Sequence, residues 1–139
     1  MDYKSLIKTA IKSREAAYVP YSKFAVGAAL ITKDGKVYEG CNIENAAYSP
    51  CNCAERTAFF KAVSEGERDF EAIAVAGWLV DGLPDMAYPC GVCRQVMMEF
   101  VNPDTFKIIV CKSENDYALH TLAQLLPHGF GPADLQHQA

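Results

Sequence analysis

The amino-acid sequence predicts an α/β fold of three layers, α/β/α, with helices on both faces of a mixed sheet of roughly five strands. Two patterns support this prediction. Short apolar segments alternate along the chain with longer segments in which apolar residues recur at helical spacing. In addition, residues 72–78 are apolar on both faces, as expected of a strand that helices cover from two sides.

The first half of the chain contains a predicted helix and a predicted β-hairpin. Apolar residues recur at helical spacing over residues 3–18, with Asp2 as the N-cap, and Pro20 ends the helix. A hairpin follows because the pair Asp34-Gly35 readily adopts positive φ between two apolar segments. The hairpin comprises a strand over residues 24–31, a turn over 33–36 and a strand over 37–42.

The second half of the chain alternates helices with buried strands. A helix over residues 53–64 has small side chains on one face, which lets it lie close to a sheet; these are Ala54, Ala58 and Ala62. The other predicted elements are a strand 72–78, a loop 79–88, a helix 90–101, strands 106–111 and 117–120, and a brief helix from Thr121 to Leu126. The inward residues of helix 90–101 are Cys93, Val96, Met97 and Phe100. The tail from residue 129 is predicted to be irregular.

Length, charge and cysteine content limit the classes of function. The 139 residues suffice for a single domain with its own core. The net charge of −4 and the lack of a Lys/Arg cluster argue against a nucleic-acid partner, which needs a cationic track along its phosphates. The sequence shows no apolar signal region or membrane-spanning segment, so we expect a cytoplasmic protein without a membrane partner. In a reducing compartment, the six cysteines favour metal binding or catalysis over disulfides.

Three cysteines and a glutamate form the pattern of an open zinc site. Cys53 stands two residues before Glu55, and Cys90 and Cys93 are separated by two residues. A catalytic zinc ion takes three protein ligands and leaves a fourth position for water. Both cysteine groups lie where a helix is predicted to begin, and a helix N-terminus stabilises the thiolate that a metal requires. Glu55 would carry protons beside the open position, while Arg56 would donate hydrogen bonds to the sulfurs.

Three other interpretations of these cysteines remain open from spacing alone. Cys51 would complete a closed four-cysteine structural zinc site. Cys90 and Cys93 also match the C-x-x-C spacing of thiol oxidoreductases. Alternatively, the cysteines are small buried hydrophobic residues. A structural site has no use for a proton carrier, so Glu55 favours the open site. The histidines are distant from the motifs in sequence and are expected to be solvent-exposed or structural; they are His120, His128 and His137.

With these residues in place, the sequence resembles the small, homotetrameric cytidine deaminases that act on nucleosides. Five blocks in family order carry the resemblance: YSKFAVGAA (21–29), NIENAAY (42–48), CAERTA (53–58), PCGVCRQV (89–96) and LLPHGFGP (125–132). The resemblance implies a cytidine-deaminase-like catalytic domain over residues 1–139. It also implies hydrolytic deamination of free cytidine and deoxycytidine to uridine and deoxyuridine plus ammonia, in pyrimidine salvage.

The resemblance assigns roles to the residues of the zinc motif. Cys53, Cys90 and Cys93 would hold one Zn²⁺ per subunit, with hydroxide as the fourth ligand attacking C4 of cytosine. Glu55 would protonate N3 and then the leaving amine, and Arg56 would hydrogen-bond the zinc-bound sulfurs. The backbone at Ala54 and Cys90 would contact the polar edge of the base. Cys51 would be a bystander.

The resemblance also assigns the nucleoside contacts. Asn42 and Glu44 would bind the ribose, and their spacing of two places both side chains on one face of an extended segment. Phe24 would pack on the pyrimidine. Phe130 would enter the active site of a neighbouring subunit and Tyr48 would lie near the subunit boundary, so that active sites are shared in a homotetramer. The alternatives are a zinc deaminase of a cytosine-nucleoside antibiotic and a non-enzymatic Cys₄ zinc protein.

Overall fold

The computed structural model describes residues 3–136. Its elements in chain order are α1 (Tyr3–Ser13), a 3₁₀ turn (Arg14–Ala16), β1 (Phe24–Thr32), β2 (Val37–Cys41), α2 (Ala54–Ser64), β3 (Phe70–Leu79), α3 (Gly91–Phe100), β4 (Lys107–Ser113), β5 (Asp116–Thr121), α4 (Leu122–Leu125) and α5 (Pro132–Leu135). Within the described range, no helix combines the length and the apolar character that a membrane span requires.

The five strands form one mixed sheet in the order β2-β1-β3-β4-β5. β3 and β4 pair in parallel, with Ile73 opposite Ile108, whereas the other neighbouring strands are antiparallel. The parallel pair is possible because the chain crosses over through α3 between β3 and β4. The predicted mixed five-stranded sheet is confirmed.

Alternate residues of the central strand β3 face two separate hydrophobic clusters. Ile73 and Val75 pack on one face with residues of α2 and α3, including Phe59 and Met97. On the other face, the alanines of β3 pack with α1; this cluster includes Leu6, Ile7, Ala10, Ala72, Ala74 and Ala76. Side chains of a strand point alternately to its two faces, so a wholly apolar strand requires helices on both. The three-layer prediction is therefore confirmed.

Helix α2 lies very close to β2 because small residues meet at their contact. Ala54, Ala58 and Ala62 are fully buried, as predicted. On the strand side, a Cβ atom added to Gly40 would lie 2.3 Å from the carbonyl oxygen of Ala54 and 2.7 Å from the amide nitrogen of Ala58. This close approach fixes the position of the N-terminus of α2 relative to the sheet.

The prediction of one continuous helix over residues 3–18 is wrong. α1 ends at Ser13, and the chain tightens into a 3₁₀ turn in which the amide of Ala17 donates to the carbonyl of Arg14. The Arg14 side chain lies over Trp78 at 3.9 Å and donates hydrogen bonds to two carbonyl oxygens, those of Ala25 and Trp78. These contacts between distant parts of the chain are invisible in the helical periodicity. The predicted N-cap Asp2 lies outside the described residues.

The irregular tail that was predicted from residue 129 is also wrong in part. α5 begins at Pro132, which suits a first helical position, and Asp134 accepts a hydrogen bond of 2.8 Å from the amide of Gly131. Other element ends differ from prediction by one or two residues, as expected for helix and strand termini. The capping role of Thr121 is confirmed, since its hydroxyl accepts from the amide of Gln124.

Candidate active site

Two of the three predicted zinc ligands are the N-cap residues of helices. Cys53 precedes α2 and Cys90 precedes α3, each with extended backbone angles, and Cys93 lies in the first turn of α3. The unpaired amides and the positive end of the dipole at each helix N-terminus favour negative charge on nearby sulfurs. Since α2 and α3 lie on the same face of the sheet, their N-termini meet at one place.

The three sulfur atoms form a compact group. All of them lie within 4.8 Å of one another, and the Sγ atoms of Cys53 and Cys90 are 3.5 Å apart. Tetrahedral zinc with Zn–S bonds of about 2.3 Å separates its sulfur ligands by about 3.8 Å. Cys93 is buried, Cys53 half-buried and Cys90 exposed, so the group is accessible from one side. The donor set and its spacing therefore fit a zinc ion.

Arg56 supplies positive charge to this sulfur group. Its Nη2 atom donates to the Sγ atom of Cys53 at 3.1 Å. Hydrogen bonds from Cys93 and Arg56 lower the pKa of the Cys53 thiol to about 5, despite its partial burial. The proton that Cys93 shares with Cys53 raises the pKa of Cys93, and burial adds to this. The surroundings thus favour a thiolate at neutral pH, which is the form that binds metal.

Glu55 is a buried carboxyl group beside the three sulfurs. Its side chain is only 4% exposed, and burial raises its pKa to about 7. The negative charge of Cys53 raises this pKa further, while Arg56 lowers it. A carboxyl group with a pKa near neutrality can both accept and release a proton at physiological pH. This position matches the proton carrier that the sequence predicts.

A cavity of about 280 Å³ opens onto the sulfur group. Seven of the predicted site residues line it: Phe24, Asn42, Glu44, Cys53, Glu55, Arg56 and Cys90. The other lining residues are Val26, Cys51, Asn52, Val75, Ala87 and Tyr88. The lining thus combines apolar side chains with a few polar and charged groups, which is the usual character of a small-molecule site.

Asn42 and Glu44 both line the cavity; Asn42 is held by the first residues of β1, and Glu44 by the turn that precedes β1. The side-chain Nδ2 atom of Asn42 donates to the carbonyl of Phe24 at 2.8 Å, and its Oδ1 atom accepts from the backbone amide of Val26 at 2.9 Å. Glu44 accepts hydrogen bonds from Ser22, which lower the pKa of its carboxyl group. Both side chains therefore have fixed orientations.

Cys51 is separate from the sulfur group although it lines the same cavity. Its Sγ atom accepts a hydrogen bond of 3.2 Å from the amide of Asn45. Among the described residues, the group with metal-ligand spacing contains three sulfurs and excludes Cys51. This arrangement disfavours the closed four-cysteine site.

Three residues with predicted substrate contacts do not line the cavity of their own chain. Tyr48 is 70% exposed, has a φ of 62° and contacts Tyr21 edge-on at 6.1 Å. Phe130 is 58% exposed, and its carbonyl accepts a hydrogen bond from Gln95 on α3. Ala54 is fully buried at the start of α2. The predicted roles of all three remain predictions.

Sequence reasoning missed five residues that line the cavity: Val26, Asn52, Val75, Ala87 and Tyr88. Asn52 adjoins Cys53, and its amide donates to Thr57 in the first turns of α2. Ala87 and Tyr88 come from the loop before α3, for which the sequence had no usable pattern. The Tyr88 hydroxyl lies 3.3 Å from Nε2 of His120, a structural contact that agrees with the expected solvent-exposed or structural role of this histidine. His128 is exposed, and His137 lies outside the described residues.

Comparison with known proteins supports the same class of site. A family model described as the cytidine and deoxycytidylate deaminase zinc-binding region matches residues 1–110. The cytidine deaminase of Sporosarcina psychrophila is 52% identical over 139 residues, covering 100% of this chain and 98% of that protein. A probable cytidine deaminase of Dictyostelium discoideum is 40% identical over 134 residues, covering 96% and 87% respectively.

Solved structures agree with these relatives. The crystal structure of cytidine deaminase from Burkholderia pseudomallei is 48% identical and superposes with a TM-score of 0.84, covering 94% of this chain and 100% of that one. The fold and the three-sulfur site with its buried glutamate define a zinc-dependent deaminase. The chain belongs to the cytidine deaminase family.

Proposed function

We propose that this chain hydrolytically deaminates free cytidine and deoxycytidine to uridine and deoxyuridine, with release of ammonia. Residues 1–139 would form its single catalytic domain. The observation that carries the proposal is the buried carboxyl group of Glu55 beside three sulfurs at a cavity of about 280 Å³. The names of the relatives support the substrate class.

In this proposal, Cys53, Cys90 and Cys93 hold one zinc ion per subunit. When bound, zinc supplies Lewis acidity and lowers the pKa of a coordinated water from about 15.7 to about 7. Three thiolates more than cancel the charge of the ion, and Arg56 reduces this excess through its hydrogen bond to Cys53.

Glu55 is the proton carrier of the proposed reaction. It accepts a proton from the attacking water and delivers it to N3 of the cytosine ring, whose C4 receives the oxygen. It then moves the second proton from the oxygen to the exocyclic amine, which leaves as ammonia. The same carboxyl group serves both transfers because it is buried beside the sulfurs, where burial raises its pKa above that of an exposed glutamate.

The cavity walls orient the nucleoside. Phe24 packs its ring on the pyrimidine, and the backbone at Ala54 and Cys90 contacts the polar edge of the base. Asn42 and Glu44 bind the ribose hydroxyls from the rim. A site built to hydrogen-bond a sugar hydroxyl discriminates strongly against ligands that lack it, because its polar groups are then left unpaired.

A shared active site in a homotetramer completes the proposal. Phe130 lies outside the cavity of its own chain and is largely exposed, as is Tyr48. Both aromatic side chains are thus free to contact a second subunit. We also propose that the protein is located in the cytoplasm. Sedimentation of the purified chain tests the assembly, and Phe130→Ala should raise KM without loss of zinc.

The decisive experiment measures zinc content and cytidine turnover in one purified sample. We expect about one zinc per chain and loss of cytidine absorbance with formation of uridine. Glu55→Gln should retain zinc and fold while the rate falls by about 10³-fold, since a positioned acid–base group contributes about 10² to 10⁴. Failure of the wild-type protein to convert cytidine refutes the proposal. A marked preference for a cytosine-nucleoside antibiotic would reassign the substrate.

A further inference from the structure

The turn that precedes β1 wraps around the carboxylate of Glu44. The backbone amides of Tyr21 and Ser22 donate to Oε1 of Glu44 at 3.0 and 3.1 Å, and the Ser22 hydroxyl donates to Oε2. Lys23 has a φ of 59°, in the left-handed region, which turns the chain sharply between these amides and Phe24. The turn is thus a small anion-binding loop whose anion is a side chain of the cavity wall.

The acceptor sites of Glu44 are nearly used up by these contacts. An ionised carboxylate has about four lone-pair sites, two on each oxygen. Two backbone amides occupy Oε1, and one hydroxyl occupies Oε2. The remaining site lies on Oε2, the oxygen that Ser22 holds. A ligand hydroxyl in the cavity would therefore donate to Oε2 of Glu44, the oxygen that Ser22 orients.

The Ser22 hydroxyl also connects Glu44 to the backbone of Phe24. It accepts a hydrogen bond of 3.0 Å from the amide of Phe24 while it donates to Glu44. The carbonyl of Phe24 in turn accepts from the amide of Asn42 at 2.8 Å. The Ser22 hydroxyl and the backbone of Phe24 therefore connect Glu44 to Asn42.

We propose that Ser22 is a positioning residue for nucleoside recognition, which directs Oε2 of Glu44 toward the sugar hydroxyl. Ser22 itself does not touch the substrate. This inference rests on the proposed function, because the role of Glu44 toward the ribose is part of it. It predicts that Ser22 matters for substrates that carry the contacted hydroxyl and is silent for substrates that lack it.

The test compares Ser22→Ala with Ser64→Ala, a control in which an exposed serine at the end of α2 loses a hydrogen bond to the carbonyl of Lys61. For deoxycytidine, we expect Ser22→Ala to raise KM about tenfold with little change in kcat, because a misdirected Oε2 of Glu44 loses its charge-assisted hydrogen bond to the sugar hydroxyl. The family resemblance implies that Glu44 contacts mainly the 3′-hydroxyl, which 2′,3′-dideoxycytidine lacks and deoxycytidine carries. For the dideoxynucleoside, Ser22→Ala should therefore change KM by less than about twofold. Ser22→Thr should restore the wild-type KM, and Ser64→Ala should change neither substrate.

Zinc content and melting temperature separate positioning from folding. In Ser22→Ala, zinc content should match the wild type, because Ser22 is not part of the sulfur group, and Tm should fall by at most about 5 °C, because an exposed hydroxyl loses two hydrogen bonds. An unchanged KM for deoxycytidine, or an equal rise for both nucleosides, would overturn the proposal for Ser22. A wild-type protein that converts neither cytidine nor deoxycytidine would instead refute the proposed function.

Discussion

The Nη2 atom of Arg56 lies 3.1 Å from the Sγ atom of Cys53, at the first turn of the same helix. This contact places a permanent positive charge against the three sulfurs that are proposed to hold a doubly charged ion. A site with three thiolates would otherwise carry excess negative charge in a partly buried position, which is costly. The arginine therefore matters both to metal affinity and to the reactivity of the centre.

Replacing Arg56 by glutamine should weaken zinc binding. The variant keeps a polar donor on a shorter side chain but loses the charge, and loss of such an outer contact typically costs about 10- to 100-fold in metal affinity or activity. Competition with a chromogenic chelator measures the affinity. Arg68→Gln is the control, because Arg68 is exposed and donates to the backbone carbonyls of Val63 and Glu67. Equal zinc affinities for the two variants would contradict the role of Arg56.

Replacing Cys51 by serine should leave the metal centre intact. Its sulfur accepts from the amide of Asn45 and stands outside the group of three, so serine can accept the same hydrogen bond. We expect full zinc content and a change below about 1 kcal/mol in the free energy of unfolding. Cys53→Ser, the matched variant within the group, should lose zinc. Metal loss in Cys51→Ser would instead favour a closed four-cysteine site.

Much of the site could be predicted because its signals are local in sequence. Cys53 and Glu55 are two residues apart, and Cys90 and Cys93 share one helical turn, so their relation needs no knowledge of the tertiary fold. The central strand β3 was equally visible, since a wholly apolar strand implies cover on both faces.

The features that could not be predicted depend on contacts between distant residues. α1 ends early where Arg14 meets Trp78, and His120 contacts Tyr88, a residue of the cavity lining. Neither pair leaves a periodic trace in the sequence. The hydrogen bonds between Glu44 and the turn at Ser22 were missed for the same reason, although the two sequence blocks that contain these residues, 21–29 and 42–48, belong to the family pattern.

Cys111 should make stability fall at alkaline pH. Its side chain is fully buried on β4, and burial raises the pKa of the thiol from 9.0 to about 12. The folded state therefore favours the protonated thiol. This contribution is fully present below pH 9 and is lost as the pH rises toward 12. Cys111→Ala lacks this contribution. The free energy of unfolding of the wild type should therefore fall relative to that of the variant by up to about 2 kcal/mol between roughly pH 9 and pH 10.5. Urea unfolding at several pH values measures this shift, and a pH-independent difference would contradict it.

Gly40→Ala should destabilise the protein through the contact between β2 and α2. The added Cβ would lie 2.3 Å from the carbonyl oxygen of Ala54 and 2.7 Å from the amide nitrogen of Ala58, and backbone atoms cannot yield as a side chain can. Overpacking of this kind costs about 3 kcal/mol, which corresponds to a fall of about 10 °C in Tm. Because α2 begins beside Cys53, we expect zinc affinity to fall as well.

Gly91→Ala is the control, since nothing lies within 4 Å of its added Cβ, and thermal unfolding monitored by circular dichroism compares the two variants. Equal Tm values would show that α2 moves away from the sheet at little cost.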